Sequence, residues 1–353
     1  MKKGTLIQKV TTGADGTAKF TADLPLGFSY DVKEVQAPEG YVRNTEDVYT
    51  FALSYTNDKE AKQTFKHTFK NERVTAKISL QKQDKETQKA VPQGDATLEK
   101  AVYGLYARED IVHPDGATGV VYKAGEQVAT LTTDKNGQAS VDGLYLGNYY
   151  VKEITPPTGY LVDEEEHDLV CNYEGDLVAE VKRDCLSLEQ VMKQPFQIIK
   201  AANNGKTDAD LLKGAGFTAY LVSSLKVNED GSYDFDSAKP VVIGENGATE
   251  IFTDEKGYAC SIAIPYGTYI VRETTTPHNY TPVDDFIVQI TENHPSTPQV
   301  WRVMLDKEFE AKLKIIKQDD ETKKAVLQKN TEFKIFNLSL IHISEPTRLR
   351  CIS

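Results

Sequence analysis

Leu144-Tyr145-Leu146-Gly147, Tyr149-Tyr150-Val151-Lys152-Glu153 and Pro157-Thr158-Gly159-Tyr160 make up a phrase that occurs three times in this chain. The earlier copy reads Leu24-Pro25-Leu26-Gly27, Tyr30-Asp31-Val32-Lys33-Glu34 and Pro38-Glu39-Gly40-Tyr41. The later one reads Ile264-Pro265-Tyr266-Gly267, Tyr269-Ile270-Val271-Arg272-Glu273 and Pro277-His278-Asn279-Tyr280. The glutamates are 153 − 34 = 119 and 273 − 153 = 120 positions apart, a domain-sized period that decides the architecture. A turn signal precedes each copy: Asp15-Gly16, Asp134-Lys135-Asn136-Gly137 and Asp254-Glu255-Lys256-Gly257. Such clusters supply the positive φ angles of hairpin turns, so each glutamate belongs to a strand leaving a hairpin.

A second element keeps step with the first. Ile78-Ser79-Leu80-Gln81-Lys82 is matched by Phe196-Gln197-Ile198-Ile199-Lys200 and by Leu313-Lys314-Ile315-Ile316-Lys317. The lysines recur at 200 − 82 = 118 and 317 − 200 = 117. Alternating segments rich in Val, Ile, Thr and Tyr, interrupted by Gly, Pro and Asp, indicate an all-β chain of tandem antiparallel sandwich domains. Leu98, Val102, Leu105 and Tyr106 have helical spacing, but alignment of 101–106 with 215–220 and 331–336 favours a strand. Ser187-Leu188-Glu189-Gln190 has the form of a capping box and predicts a short helical turn between two units. The boundaries expected are 1–73, a unit lacking its first strands; 74–186 and 187–308, whole units; and 309–337, the opening strands of another. Residues 338–353 do not continue the repeat, resemble a translated sequencing-adapter read-through, and are excluded from fold reasoning.

Composition removes several function classes. The 353 residues carry 53 acidic and 41 basic side chains, a formal charge of −12, which disfavours nucleic acid or an anionic membrane surface as partner. No apolar run approaches the roughly 18 residues of a membrane span, so no membrane insertion is expected of this fragment. Cys171, Cys185, Cys260 and Cys351 contain no CxxC spacing; they allow a Cys171–Cys185 bridge without requiring one, and they do not define a zinc site. There is no HExxH, no GxSxG and no phosphate-binding glycine loop. Asn228-Glu229-Asp230-Gly231 lacks the alternating oxygen ligands of a calcium loop, and Asp163-Glu164-Glu165-Glu166 reads as a solvated turn. A turnover enzyme, a cofactor and a metal are therefore not expected.

Strand parity exposes the unusual feature. Ile78, Leu80 and Lys82 point to one face, as do Phe196, Ile198 and Lys200, and Leu313, Ile315 and Lys317. Tyr149, Val151 and Glu153 likewise share an apolar face, as do Tyr30, Val32 and Glu34, and Tyr269, Val271 and Glu273. A buried ammonium or carboxylate must pair, neutralise or react. The plain alternative is a buried ion pair, or a strand-end lysine whose amine reaches solvent. Reaction requires a third group. Asn71 precedes Lys82 by eleven positions and Asp306 precedes Lys317 by eleven; in the middle unit Asp184 is taken as the counterpart, with an insertion allowed. Desolvation lowers a lysine pKa and raises a carboxyl pKa, giving an amine nucleophile beside a neutral acid that can protonate the leaving group. The product is an intramolecular amide, made once, with ammonia lost from Asn or water from Asp.

The segment Gly147 to Glu153 followed by Pro157-Thr158-Gly159-Tyr160, with Lys82 on the first strand, resembles the Cna B-type or SpaA-type repeat of Gram-positive surface adhesins and pilins. The similarity covers roughly residues 5–337. It implies prealbumin-like, Ig-like sandwiches crossed by a Lys–Asn or Lys–Asp isopeptide bond, with Glu34, Glu153 and Glu273 as the promoting residues. Only Lys82–Glu153–Asp184 and Lys200–Glu273–Asp306 close within this chain. Asn279 stands where the phrase has glycine, and Asp184 and Asp306 share parity with Lys182 and Arg302 instead of with a clean apolar row.

The function expected is structural: stalk repeats of an extracellular adhesin or pilin-like protein on a bacterial cell wall, strengthened without disulfides. The competing expectation is a ligand-binding module, with loops near 112–125 and 227–242 recognising a host matrix protein or glycan. In the stalk reading such recognition belongs to other parts of the full-length protein.

Overall fold

The computed structural model describes residues 2–55, 63–203, 210–300, 302–308 and 312–335, so the tail at 338–353 lies outside the described residues. Apart from two short 3-10 turns, Val222–Ser224 and Glu245–Gly247, its regular elements are β-strands. The chain forms two compact units: residues 1–82, 100–155 and 163–187 in one, and 83–99, 156–162 and 188–353 in the other.

In the first unit a sandwich is built from two sheets. One has the strand order Glu166–Cys171, Gly147–Thr155, Val102–Ala107, Gln127–Thr132; the other has Glu180–Glu189, Thr75–Asp84, Gln138–Leu144. The burial of Thr75–Asp84 alternates strictly, with Ala76, Ile78, Leu80 and Lys82 inward. Ile78 and Leu80 pack with Tyr103, Leu105, Tyr149, Val151 and Cys185 between the sheets. Val102–Ala107 is a strand, with Tyr103, Leu105 and Ala107 fully buried, because pairing on both edges overrides its helical spacing. Cys171 and Cys185 are buried free thiols of this core, and desolvation pushes Cys185 up to about 12. N-terminal to the sandwich, Phe28–Lys33 pairs antiparallel with Val48–Leu53.

The second unit repeats the plan. One sheet runs Glu250–Phe252, Gly216–Leu221, Gly267–Thr275, Phe286–Ile290; the other runs Tyr258–Cys260, Gln197–Asn203, Arg302–Glu308, Tyr280–Thr281. Phe196, Ile198, Phe217, Tyr269, Val271, Val288 and Ile290 fill the interior.

Local chemistry explains the repeated phrase. Asp134 Oδ1 accepts the amides of Asn136 (2.8 Å) and Gln138 (2.9 Å), and Asp254 Oδ1 accepts those of Lys256 (2.8 Å) and Tyr258 (2.9 Å), closing the two hairpin turns. The phrase's tyrosine fastens its own hairpin: Tyr30, Tyr149 and Tyr269 donate their hydroxyls to the carbonyls of Pro25 (2.6 Å), Tyr145 (2.6 Å) and Pro265 (2.8 Å). Asn279 adopts φ +70°, close to Gly40 (+85°) and Gly159 (+84°), so the position demands a left-handed backbone, which Asn tolerates.

Two sequence expectations change. Ser187-Leu188-Glu189-Gln190 forms no helical turn; the strand Glu180–Glu189 runs through it, since Ser187 and Glu189 face inward and their side chains cannot cap. The repeat beginning at Leu313 forms no strand among the described residues, only an isolated bridge between Gln318 and Ala325.

Candidate functional site

Lys200, Glu273 and Asp306 come together in the second unit. Lys200 is on the strand Gln197–Asn203, and Asp306 is on the parallel neighbour Arg302–Glu308, where Ala202 pairs with Asp306 and Lys200 with Met304. Glu273 projects from the opposite sheet, so the cluster spans the sandwich core. Lys200 Nζ donates to Glu273 Oε2 at 2.6 Å and to Asp306 Oδ1, and all three side chains are fully buried. Phe217 covers the amine, its ring centroid 5.5 Å from Nζ. Burial raises the Asp306 carboxyl to about 6 against the pull of Lys200. Asp306 turns inward without a bulge: Met304, on the same face, packs on the core, and the Arg302 guanidinium lies 5.5 Å from the Phe286 ring centroid.

The first unit holds a related cluster. Lys82 Nζ donates to Glu153 Oε1 at 3.0 Å and to the Tyr103 hydroxyl at 3.3 Å, with no exposure of the lysine or of the Glu153 side chain. Burial lowers the Lys82 amine to about 8 although Glu153 opposes the shift. Tyr103 in turn donates to Ser187 Oγ (3.0 Å), and Ser187 donates to Asp163 Oδ2 (3.2 Å), which also meets His167 Nε2 at 2.8 Å. Asp163 is thus part of the core's polar network, not a merely solvated turn residue.

Each glutamate is aimed by the same device, a backbone amide ten positions downstream. Asn44 N donates to Glu34 Oε2 (3.1 Å), Asp163 N to Glu153 Oε2 (2.7 Å), and Val283 N to Glu273 Oε2 (3.0 Å). One carboxylate oxygen is held by the loop, and in the two sandwiches the lysine is within hydrogen-bonding reach. Near the N-terminus Asn71 Nδ2 donates to Glu34 Oε2 at 2.7 Å, bringing that pair together as well.

Two expected site residues are placed elsewhere. Asp184 is exposed: in Glu180–Glu189 the inward residues are Val181, Cys185, Ser187 and Glu189, and Asp184 has the opposite parity. Lys317 is exposed too, donating to Thr331 Oγ1 at 3.2 Å. Glu189 is 2% exposed and precedes Lys200 by 200 − 189 = 11 positions, the interval that separates Asn71 from Lys82 and Asp306 from Lys317.

Comparison with known proteins agrees with the repeat. The family model "SpaA: Prealbumin-like fold domain" matches residues 1–68, 76–184 and 195–302. A search of curated proteins gave no match. Among solved structures, the Bacillus anthracis TIE protein shares 24% identity with a TM-score of 0.51, covering 85% of this chain and 45% of its own. This chain therefore spans less than half of that protein. GBS52, the minor pilin of Streptococcus agalactiae, shares 16% identity at a TM-score of 0.30, over 69% of this chain and 100% of its own. The shaft pilin SpaA of Lactobacillus rhamnosus GG shares 17% at 0.25, over 67% and 98%. With three consecutive family matches that take in Glu34, Lys82, Glu153, Lys200 and Glu273, the chain belongs to the SpaA prealbumin-like fold domain family.

Proposed function

We propose that this chain is a length of stalk from a Gram-positive cell-surface adhesin or pilin-like protein, and that its repeats are stiffened by amide bonds they make themselves. The observation that carries the reading is the cluster of Lys200, Glu273 and Asp306, fully buried and within hydrogen-bonding reach. In the reactive protonation state the Lys200 amine is neutral and Asp306 is a carboxylic acid. Nζ attacks Asp306 Cγ, Glu273 relays a proton from the nitrogen to the departing hydroxyl, and one water leaves. The dry core supplies proximity that a surface pair lacks. Each site reacts once, so the process is maturation and not turnover. A stalk so built resists extension and proteolysis without disulfides, consistent with its free thiols. Its setting is extracellular, on the cell wall, and host recognition resides in other parts of the full-length protein.

Peptide mapping of the full chain by tandem mass spectrometry tests this. The expected result is a branched peptide joining Lys200 to Asp306, one water lighter than the two separate peptides. In Glu273→Ala that water is retained. Unbranched Lys200 and Asp306 peptides from the folded wild-type chain would refute the proposal.

A further inference from the structure

On the outer face of one sheet of the second unit, an insertion between sandwich strands builds a groove. After Gly216–Leu221 the chain forms a two-stranded ribbon in which Lys226–Val227 pairs with Tyr233–Asp234. Phe235, just beyond it, packs edge-on against Tyr220 (ring centroids 5.2 Å apart, interplanar angle 69°) and lies 3.9 Å from the Arg272 guanidinium. Tyr269 and Val271 fill the core, so Ile270 has outward parity, yet it is only 6% exposed. It forms part of the lining of a groove of about 620 Å³, together with Ile287, Tyr233, Phe235, Arg272 and Asp285, a volume suited to a small ligand.

We propose that this groove is a saccharide-binding site that takes a neutral sugar. The hydrogen-bonding groups it holds open select the class. Arg272 is fixed by its stack on Phe235 and by Nε, which donates to Asp285 Oδ1 at 3.0 Å; its two terminal nitrogens meet no acceptor among the described residues. Asp285 Oδ2, the Asp236 carboxylate and the Tyr233 hydroxyl are likewise without a hydrogen-bond partner among the described residues. Open donors and open acceptors therefore face one space. An anionic ligand would meet Arg272 but also the carboxylates of Asp234, Asp236 and Asp285, and a cationic one would be opposed by Arg272. A sugar hydroxyl is donor and acceptor at once and satisfies both sets without bringing a charge. The C–H faces of a pyranose pack on aromatic rings, which Tyr233 and Phe235 supply.

The corresponding face of the first unit lacks the open groups. There Tyr106 pairs with Tyr150 as Tyr220 pairs with Ile270, and the Arg108 guanidinium lies 3.9 Å from the Tyr150 ring centroid. All three Arg108 nitrogens are bonded, Nε and Nη2 to Asp168 and Nη1 to Glu166 at 2.9 Å. That face offers a stack with no free donor from its arginine. The site on the second unit is independent of the amide chemistry proposed above.

The test incubates the full chain with immobilised neutral oligosaccharides ending in glucose, galactose, mannose or N-acetylglucosamine, and with sialylated and sulfated ones. At least one neutral member should bind, and adding sialic acid or sulfate to it should weaken binding. Preference for N-acetyllactosamine would point to a host glycan and preference for N-acetylglucosamine oligomers to a bacterial wall glycan; either supports the site. Phe235→Ala and Arg272→Gln should each lower affinity by roughly tenfold, the scale of one aromatic stack or one lost charged donor. Arg108→Gln should leave it unchanged, and urea unfolding of each variant checks that the fold persists. Binding of no neutral saccharide, binding of acidic ones alone, or undiminished binding by folded Phe235→Ala and Arg272→Gln chains would overturn the proposal.

Discussion

Lys82 and Lys200 are equivalent residues in different surroundings. Each amide donates to the carbonyl of a turn glycine, Gly137 at 2.8 Å or Gly257 at 2.7 Å, and each amine meets the glutamate of the repeated phrase. Over Lys200 lies Phe217, whereas Lys82 is within reach of the Tyr103 hydroxyl, which continues through Ser187 to Asp163. The Lys82 amine, pulled down from 10.5 to about 8 chiefly by desolvation, holds its proton less tightly in the folded chain than in the unfolded one. Between those two values the unfolded state binds more protons, so stability rises with pH. Stability of the full chain measured against Lys82→Met should therefore increase from pH 8 to 10.5. The gain should approach ~3 kcal/mol, since each tenfold loss of proton affinity on folding is equivalent to about 1.4 kcal/mol. Urea denaturation of the pair at fixed pH values reads this difference, and a flat profile would mean that the amine is hydrated.

At the scale of the element, register decides which side chains meet. Gly257 ends the hairpin turn that delivers the strand beside Lys200; its φ is +64°, and an added Cβ would lie 2.3 Å from the Lys200 carbonyl oxygen. Gly257→Ala must displace the strand that carries the nucleophile, so a destabilisation of about 1–3 kcal/mol is expected, together with slower appearance of the Lys200–Asp306 branch during refolding. Unchanged stability and unchanged branching would show that the turn does not set the lysine's position. Much of this level can be read in the sequence, because alternation is a matter of counting: Lys82, Lys200, Glu153 and Glu273 have inward parity in the sequence and are buried in the fold. Asp184 misleads because it lies in a segment of mixed charge, Lys182-Arg183-Asp184, where no apolar row marks the inward face. The strand through Ser187 and Glu189 is hidden by the spacing of Ser187-Leu188-Glu189-Gln190, which imitates a helix cap. Only the sheet reveals that Ser187 faces the core and turns toward Tyr103 and Asp163. The loop amides that hold the three glutamates leave no side-chain signature at all, since Asn44, Asp163 and Val283 share nothing but position.

For the chain as a whole, the decisive property is where a covalent bond would sit relative to the direction of load. Lys200 is on the first long strand of its sandwich and Asp306 on the last, and these two strands are parallel neighbours. Pulling the ends of the sandwich apart loads those strands, and noncovalent pairing alone would let them shear. With the amide in place, force passes directly from residue 200 to residue 306, and the 306 − 200 = 106 residue steps between them bear none of it. Single-molecule stretching of the full chain should therefore show no extension from that segment. In Glu273→Ala the same segment should lengthen by roughly 370 Å, at about 3.5 Å per residue. An unfolding step of that size in the wild-type chain would mean that the sandwich lacks its bond. Its absence from both chains would mean that Glu273 is dispensable for making it.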